Sequence, residues 1–205
     1  MLSVLASGLL LGLSAGLAPG PLLALLLTQS VRHGPREGCK VAFVPLLTDA
    51  PIIVLAVALA AKAAEFREVL GVLSIAGGAF VLYLAFDAFR PARMDLDAVA
   101  VRPKSWLKGI FTNVLNPHPW LFWLTIGAAT LARAIEASWL QAAAFLGAFY
   151  LMLVGSKVVL ALVAGRSGEF LHGQPYRVTM RGLGVLLAVF AVLLLREGLR
   201  YLAVI

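Results

Sequence analysis

The first thirty-one residues contain no Asp, Glu, Lys or Arg, yet Pro19-Gly20-Pro21 sits near the centre of that run. Proline lacks a backbone donor and breaks a helix interior. A charge-free run of this length suits a membrane span, and a span broken at its middle must hide its freed backbone groups. Irregular backbone is tolerated in a bilayer only where it is buried in protein or lines a cavity. The same device returns in 112–128, "TNVLNPHPWLFWLTIGA", where Asn116-Pro117-His118-Pro119 interrupts another apolar run.

The rest of the 205-residue chain agrees with a membrane setting. It is 61% hydrophobic and 13% charged, with a mean hydropathy of +0.96. Soluble domains are about 45–50% apolar and about 25% charged. A span needs about 20 apolar residues, which gives six: 2–31, 41–61, 69–89, 107–132, 138–164 and 178–204. The polar breaks between them are 32–40, 62–68, 90–108, 133–138 and 165–177, and none is long enough to fold alone. The expectation is one all-α integral membrane domain over 1–205. A removable signal peptide at the start fits less well, because a basic leader is missing and the apolar run continues past "SAG". The lone cysteine, Cys39, excludes an internal disulfide and a cysteine-based metal site.

Lys and Arg set the orientation. Loops one, three and five carry eleven of the seventeen, and the opposite side carries Lys62, Arg67, Arg133, Arg196 and Arg200. The remaining one, Lys157, lies within span five. Basic loops stay in the cytoplasm, so both termini are expected outside. The net charge of +7 therefore needs no nucleic acid to explain it.

Spans one and four each open a three-helix half, about 1–90 and 107–205, and run in opposite directions. Broken helices in matching positions of two inverted repeats mark a transporter's binding site. At a rise of ~1.5 Å per residue, Pro21 lies roughly 16 Å inside the cytoplasmic face, Asn116 roughly 12 Å, and Asp49 and Lys157 roughly 13 Å. Two breaks, one acid and one base thus fall at similar depth.

Pro21 and Pro117 suit the first turn of a new half-helix, where a missing N–H costs nothing. Asn116 is a good N-cap. Half-helix N-termini would hold a carboxylate, and the carbonyls near Ala18 would hold an ammonium or a cation. Gly20 would let a ligand approach the backbone. An acid at midplane is costly and marks function, although Asp49 could also serve a structural hydrogen bond. Lys157 would pair with Asp49 in the empty state, or snorkel to the cytoplasmic face. His118 would relay a proton or merely cap the half-helix. Arg133 and Glu136 read as a solvated loop, and "WLFW" (120–123) as packing or cavity lining.

Four stretches in order resemble the lysine exporter (LysE/RhtB-type) translocator family: "GLAPGPLLALLLTQSVRHGPREG", "LLTDAP", "GGAFVLYLAFDAFR" and "NVLNPHPWLFWL". Thr48 stands where that family usually has Gly, and the "HP" after Asn-Pro and the embedded Lys157 also depart from it. The resemblance carries the family's Pro-Gly-Pro onto Pro19, Gly20 and Pro21, its acid onto Asp49, and its Asn-Pro onto Asn116 and Pro117. It implies export of amino acids or similar small zwitterions across the cytoplasmic membrane. It further implies a proton or cation gradient as driving force, with Asp49, His118 and Lys157 as coupling candidates, and a possible homodimer. The alternative within the wider superfamily is an inorganic or metal cation exporter with Asp49 as main ligand. A membrane enzyme is disfavoured, since no nucleophile–base pair is visible, and no cofactor or metal site is expected.

Overall fold

A computed structural model describes residues 1–59, 67–89, 103–170 and 174–202. The polar breaks expected at 62–68, 90–108 and 165–177 lie wholly or partly outside those residues, as does the end of the "FDAFR" stretch. Everything described is helix or short connection. In chain order the helices are α1 (Leu2–Leu17), α2 (Pro21–His33), α3 (Pro35–Leu59), α4 (Arg67–Phe89), α5 (Ser105–Val114) and α6 (Pro117–Phe122). A π-helical turn, Trp123–Gly127, leads into α7 (Ala128–Ala137), followed by α8 (Trp139–Phe170) and α9 (Gln174–Tyr201).

Among the described residues, three helices are long and apolar enough to cross a membrane: Pro35–Ala56, Trp139–Arg166 and Arg181–Tyr201. A fourth candidate is the α1–α2 pair, bent by 64° at its break. The third expected span retains a shorter apolar stretch, Ser74–Phe86. The fourth is divided among α5, α6, the π turn and α7, so no single piece of it reaches membrane length. The cause is local: Asn116-Pro117 ends one helix and starts the next.

Two boundaries differ from expectation. The second span begins at Pro35, not at 41, because Gly34 alone turns the chain. Its φ of 87° needs glycine, and Pro35 then opens α3. The expected loop at 133–138 is helical almost to its end: Arg133 and Glu136 are exposed residues of α7, and only Ser138 separates α7 from α8. Ser138 Oγ caps α8 by accepting from the Gln141 N–H at 3.2 Å.

Packing follows small residues. Gly8, Gly12 and Gly16 recur every fourth residue on one face of α1, and all three are buried. A Cβ at Gly8 or Gly12 would collide with the backbone at Phe145 or Phe149 of α8, and one at Gly16 with Ser156. Small residues at this spacing let two membrane helices approach closely. The stripe lays α1 along α8. In the same way Gly78 and Gly198 let α4 and α9 press together, with Leu195 and Ile75 filling the seam. The α5 helix packs on α3. Pro45 and Pro51 lie inside α3 on either side of Asp49. Each removes one intrahelical hydrogen bond near the acid.

Candidate functional site

The two breaks meet around one cavity of about 410 Å³. Ligand sites run about 300–1,000 Å³, so the space suits a small molecule. Its walls include Ala18, Pro19 and Gly20 from the first break, Asn116 and His118 from the second, and Asp49 and Lys157 from α3 and α8. Pro21 and Pro117 each occupy the first turn of the half-helix behind the wall. An apolar side is built by Phe122, Trp123 and Phe149. Phe122 stacks on Phe149 at 5.2 Å between centroids, and Trp123 meets Phe149 edge-on at 5.3 Å.

Asp49 is only 4% exposed. Its Oδ1 accepts from Asn113 Nδ2 at 3.0 Å, and its Oδ2 from the Tyr150 hydroxyl at 3.4 Å. The Lys157 charge acts on the same carboxylate. Asn113 also donates to Thr48 Oγ1 at 2.7 Å. The acid is thus dressed by neutral donors from α5 and α8. Asn113 and Tyr150 were not singled out by sequence reasoning, whereas Phe122 and Trp123 of "WLFW" line the cavity as expected. A tyrosine deep in an apolar run was the available signal, since a buried hydroxyl normally finds a partner.

Lys157 corrects a second expectation. It neither snorkels nor closes directly on Asp49. It is 4% exposed, and its Nζ donates to the Gly16 carbonyl at 2.8 Å and the Ala15 carbonyl at 3.4 Å. These are orphan carbonyls at the end of α1, which sequence reasoning had assigned to a ligand's ammonium. The glycine stripe explains the contact, because Gly16 packs against Ser156, next to Lys157.

The half-helix N-termini also differ from expectation. At α2 the cap is Gly20, in extended conformation, and no side chain caps the helix. A Cβ at Gly20 would meet nothing within 4 Å. At α6 the cap is Asn116, whose Oδ1 accepts from the His118 N–H at 3.2 Å. Pro117 and Pro119 have no N–H to offer. The first three positions of α6 therefore have no free backbone donor, and only α2 presents an open N-terminus. His118 itself is exposed at the cavity edge.

Away from the cavity, toward the Gly34 turn, polar groups pair with each other. Buried Ser105 Oγ donates to buried Gln29 Oε1 at 2.9 Å, and Lys40 pairs with Glu37. The first bond ties α5 to α2 at this end of the bundle, and the second lies within α3.

A broken apolar helix, a buried dressed acid and a shared cavity are features that a transporter needs. The chain is 26% identical over 187 residues to a protein of Escherichia coli (strain K12) named uncharacterized membrane protein YahN. That alignment covers 88% of this chain and 83% of the relative. No solved structure is significantly similar. The LysE type translocator family matches residues 13–198, a stretch that includes both breaks, Asp49 and Lys157, and the chain belongs to that family of membrane transporters.

Proposed function

We propose that this chain is a secondary exporter of amino acids or similar small zwitterions across the cytoplasmic membrane. One observation carries the reading: the cavity has an uncapped helix N-terminus on one wall and a buried carboxylate on another. The free N–H groups after Gly20 suit a carboxylate. Asp49 suits an ammonium. The Phe122, Trp123 and Phe149 face suits an apolar side chain between them. Asn116 keeps its Nδ2 for the solute while Oδ1 caps α6. A coupling proton is assigned to Asp49 and His118.

The architecture we propose is two inverted three-helix repeats. Packing supports it pairwise: α4 lies on α9, α1 on α8 as α5 on α3, and α2 on α3 as α7 on α8. With the basic loops inside and both termini outside, the cavity opens from the breaks toward the outer face. The Gln29–Ser105 bond between α2 and α5 then closes the cytoplasmic end. Inorganic cation export is less well supported. The Asp49 oxygens already accept from amide and hydroxyl donors and sit in the field of an ammonium. Such a carboxylate suits a hydrogen-bonded guest better than a bare metal ion.

The test is counterflow into proteoliposomes with a radiolabelled panel of amino acids, other small amines, carboxylates and metal ions. Accumulation of one or more zwitterions, blocked by Asp49→Asn, is expected. Accumulation of metal ions alone, or of solutes lacking either an amine or a carboxylate, would reject the zwitterion reading.

A further inference from the structure

The carbonyls of the last turn of α1 have no intrahelical partners, and they carry the negative end of the helix dipole. Broken helices in transporters use such carbonyls to coordinate a coupling cation. Here the place is taken. Lys157 Nζ lies 2.8 Å from the Gly16 carbonyl and 3.4 Å from the Ala15 carbonyl, buried and in the field of Asp49. Two backbone oxygens and a nearby carboxylate are surroundings that a monovalent metal ion would seek. The same unit charge arrives on a side chain instead.

We infer that Lys157 is a tethered cation that completes the first break, so that the transport site needs no sodium or potassium ion. Three features carry this. The donor is an ammonium, so it matches a monovalent ion in charge. It comes from α8, a different span, so it bridges the break to the rest of the bundle as a shared ion would. Its register is fixed by the Gly8, Gly12 and Gly16 stripe, which leaves the carbonyls within reach of this residue. A lysine serving only as a strut would also fill space. A tethered cation has a property that a strut lacks: a free cation of suitable shape can replace it.

The experiment measures Tm of the full-length protein in detergent, in chloride salts of sodium, potassium, choline and propylammonium. Wild type should give one Tm in all four. Lys157→Ala should melt lower in choline and recover saturably with propylammonium, which fits the vacated stem and head. Lys157→Met keeps the bulk of the stem and loses the charge. It should melt lower than wild type and respond to none of the salts. A saturable sodium or potassium stabilisation of wild type would overturn the proposal. So would Lys157→Ala unmoved by propylammonium, or Lys157→Met as stable as wild type. If Lys157→Ala yields no folded protein, the wild-type and Lys157→Met measurements still decide. The consequence for transport rests on the exporter reading above. The thermal readouts do not, so an empty solute panel would leave them standing, whereas failed rescue would remove the tether alone.

Discussion

The two breaks look alike in sequence and are finished in opposite ways. Each interrupts an apolar run with a helix breaker, and each leaves carbonyls on one side and amides on the other. At the second break the chain satisfies itself locally. Asn116 caps the His118 N–H, and the Trp120 indole N–H donates to the Val114 carbonyl at 2.9 Å. At the first break nothing local helps. Its carbonyls are met by Lys157 from more than a hundred residues away, and its amides are left uncapped beside the cavity. The second break is therefore a self-contained corner. The first depends on the assembled bundle and leaves its N-terminal donors without a side-chain cap. Under the proposed function, this asymmetry assigns the solute's carboxylate to the first break.

The largest effect should come from the remote donor. Lys157→Met leaves the Gly16 and Ala15 carbonyls without a partner and Asp49 without a nearby cation. A buried acceptor left unsatisfied costs about 1–3 kcal/mol, and here two carbonyls lose a charged donor at once. The corresponding change at the second break, Trp120→Phe, removes one neutral donor and costs about 1 kcal/mol. Tm in detergent of the two variants measures the ratio directly. Equal losses would mean that the breaks are equivalent and that Lys157 is an ordinary hydrogen-bond donor. Adding Asp49→Asn to Lys157→Met should recover part of the stability, because no charge is then left buried alone, but should not recover transport. Strictly additive losses would show that the two charges do not interact.

Next in size is Gly20→Leu. Because a Cβ at Gly20 meets open space, folding has no reason to suffer. The added side chain instead covers the uncapped N-terminus of α2 at the cavity. Hydrogen bonds to a charged group contribute about 1.5–3 kcal/mol, so solute affinity should fall roughly tenfold to a hundredfold at unchanged Tm. Counterflow at graded solute concentration reads this. Transport as in wild type would make the first break a kink and nothing more.

The positions of both breaks, and of Asp49 and Lys157 beside one cavity, were legible because charge and proline are scarce in a membrane span. Each such residue there stands out against an apolar background. Asp49's donors were less legible. Asn113 and Asn116 lie three residues apart, and which one faces the acid depends on how α5 is rotated against α3 before it stops at Val114. That is a tertiary fact. The lysine's partner was misjudged for the same reason. Depth along the membrane normal placed Asp49 and Lys157 level with each other, but depth says nothing of lateral distance. The glycine stripe on α1 could have corrected this, since it fixes which helix lies against α1 and so which side chain reaches its end. The closed N-terminus of α6 was written in the sequence as well. Pro117 and Pro119 remove two donors, and Asn116 takes the one between them.

The smallest effect separates the two jobs of Asn116. Its Oδ1 caps α6, whereas its Nδ2 is the proposed contact to the solute. Asn116→Ser keeps an oxygen able to accept from the His118 N–H and removes the amide donor. Asn116→Ala removes both. Loss of an N-cap costs about 0.5–2 kcal/mol, so Asn116→Ala should lower Tm while Asn116→Ser should barely move it. A lost neutral hydrogen bond contributes about 1 kcal/mol, so both variants should raise the apparent KM for the solute by roughly fivefold, with little change at saturation. If Asn116→Ser transports like wild type, the second break takes no part in binding, and the contrast between the breaks becomes complete. If Asn116→Ser instead loses as much transport as Gly20→Leu, the second break shares the solute equally. Its self-contained cap would then be a feature of the empty site that binding must open.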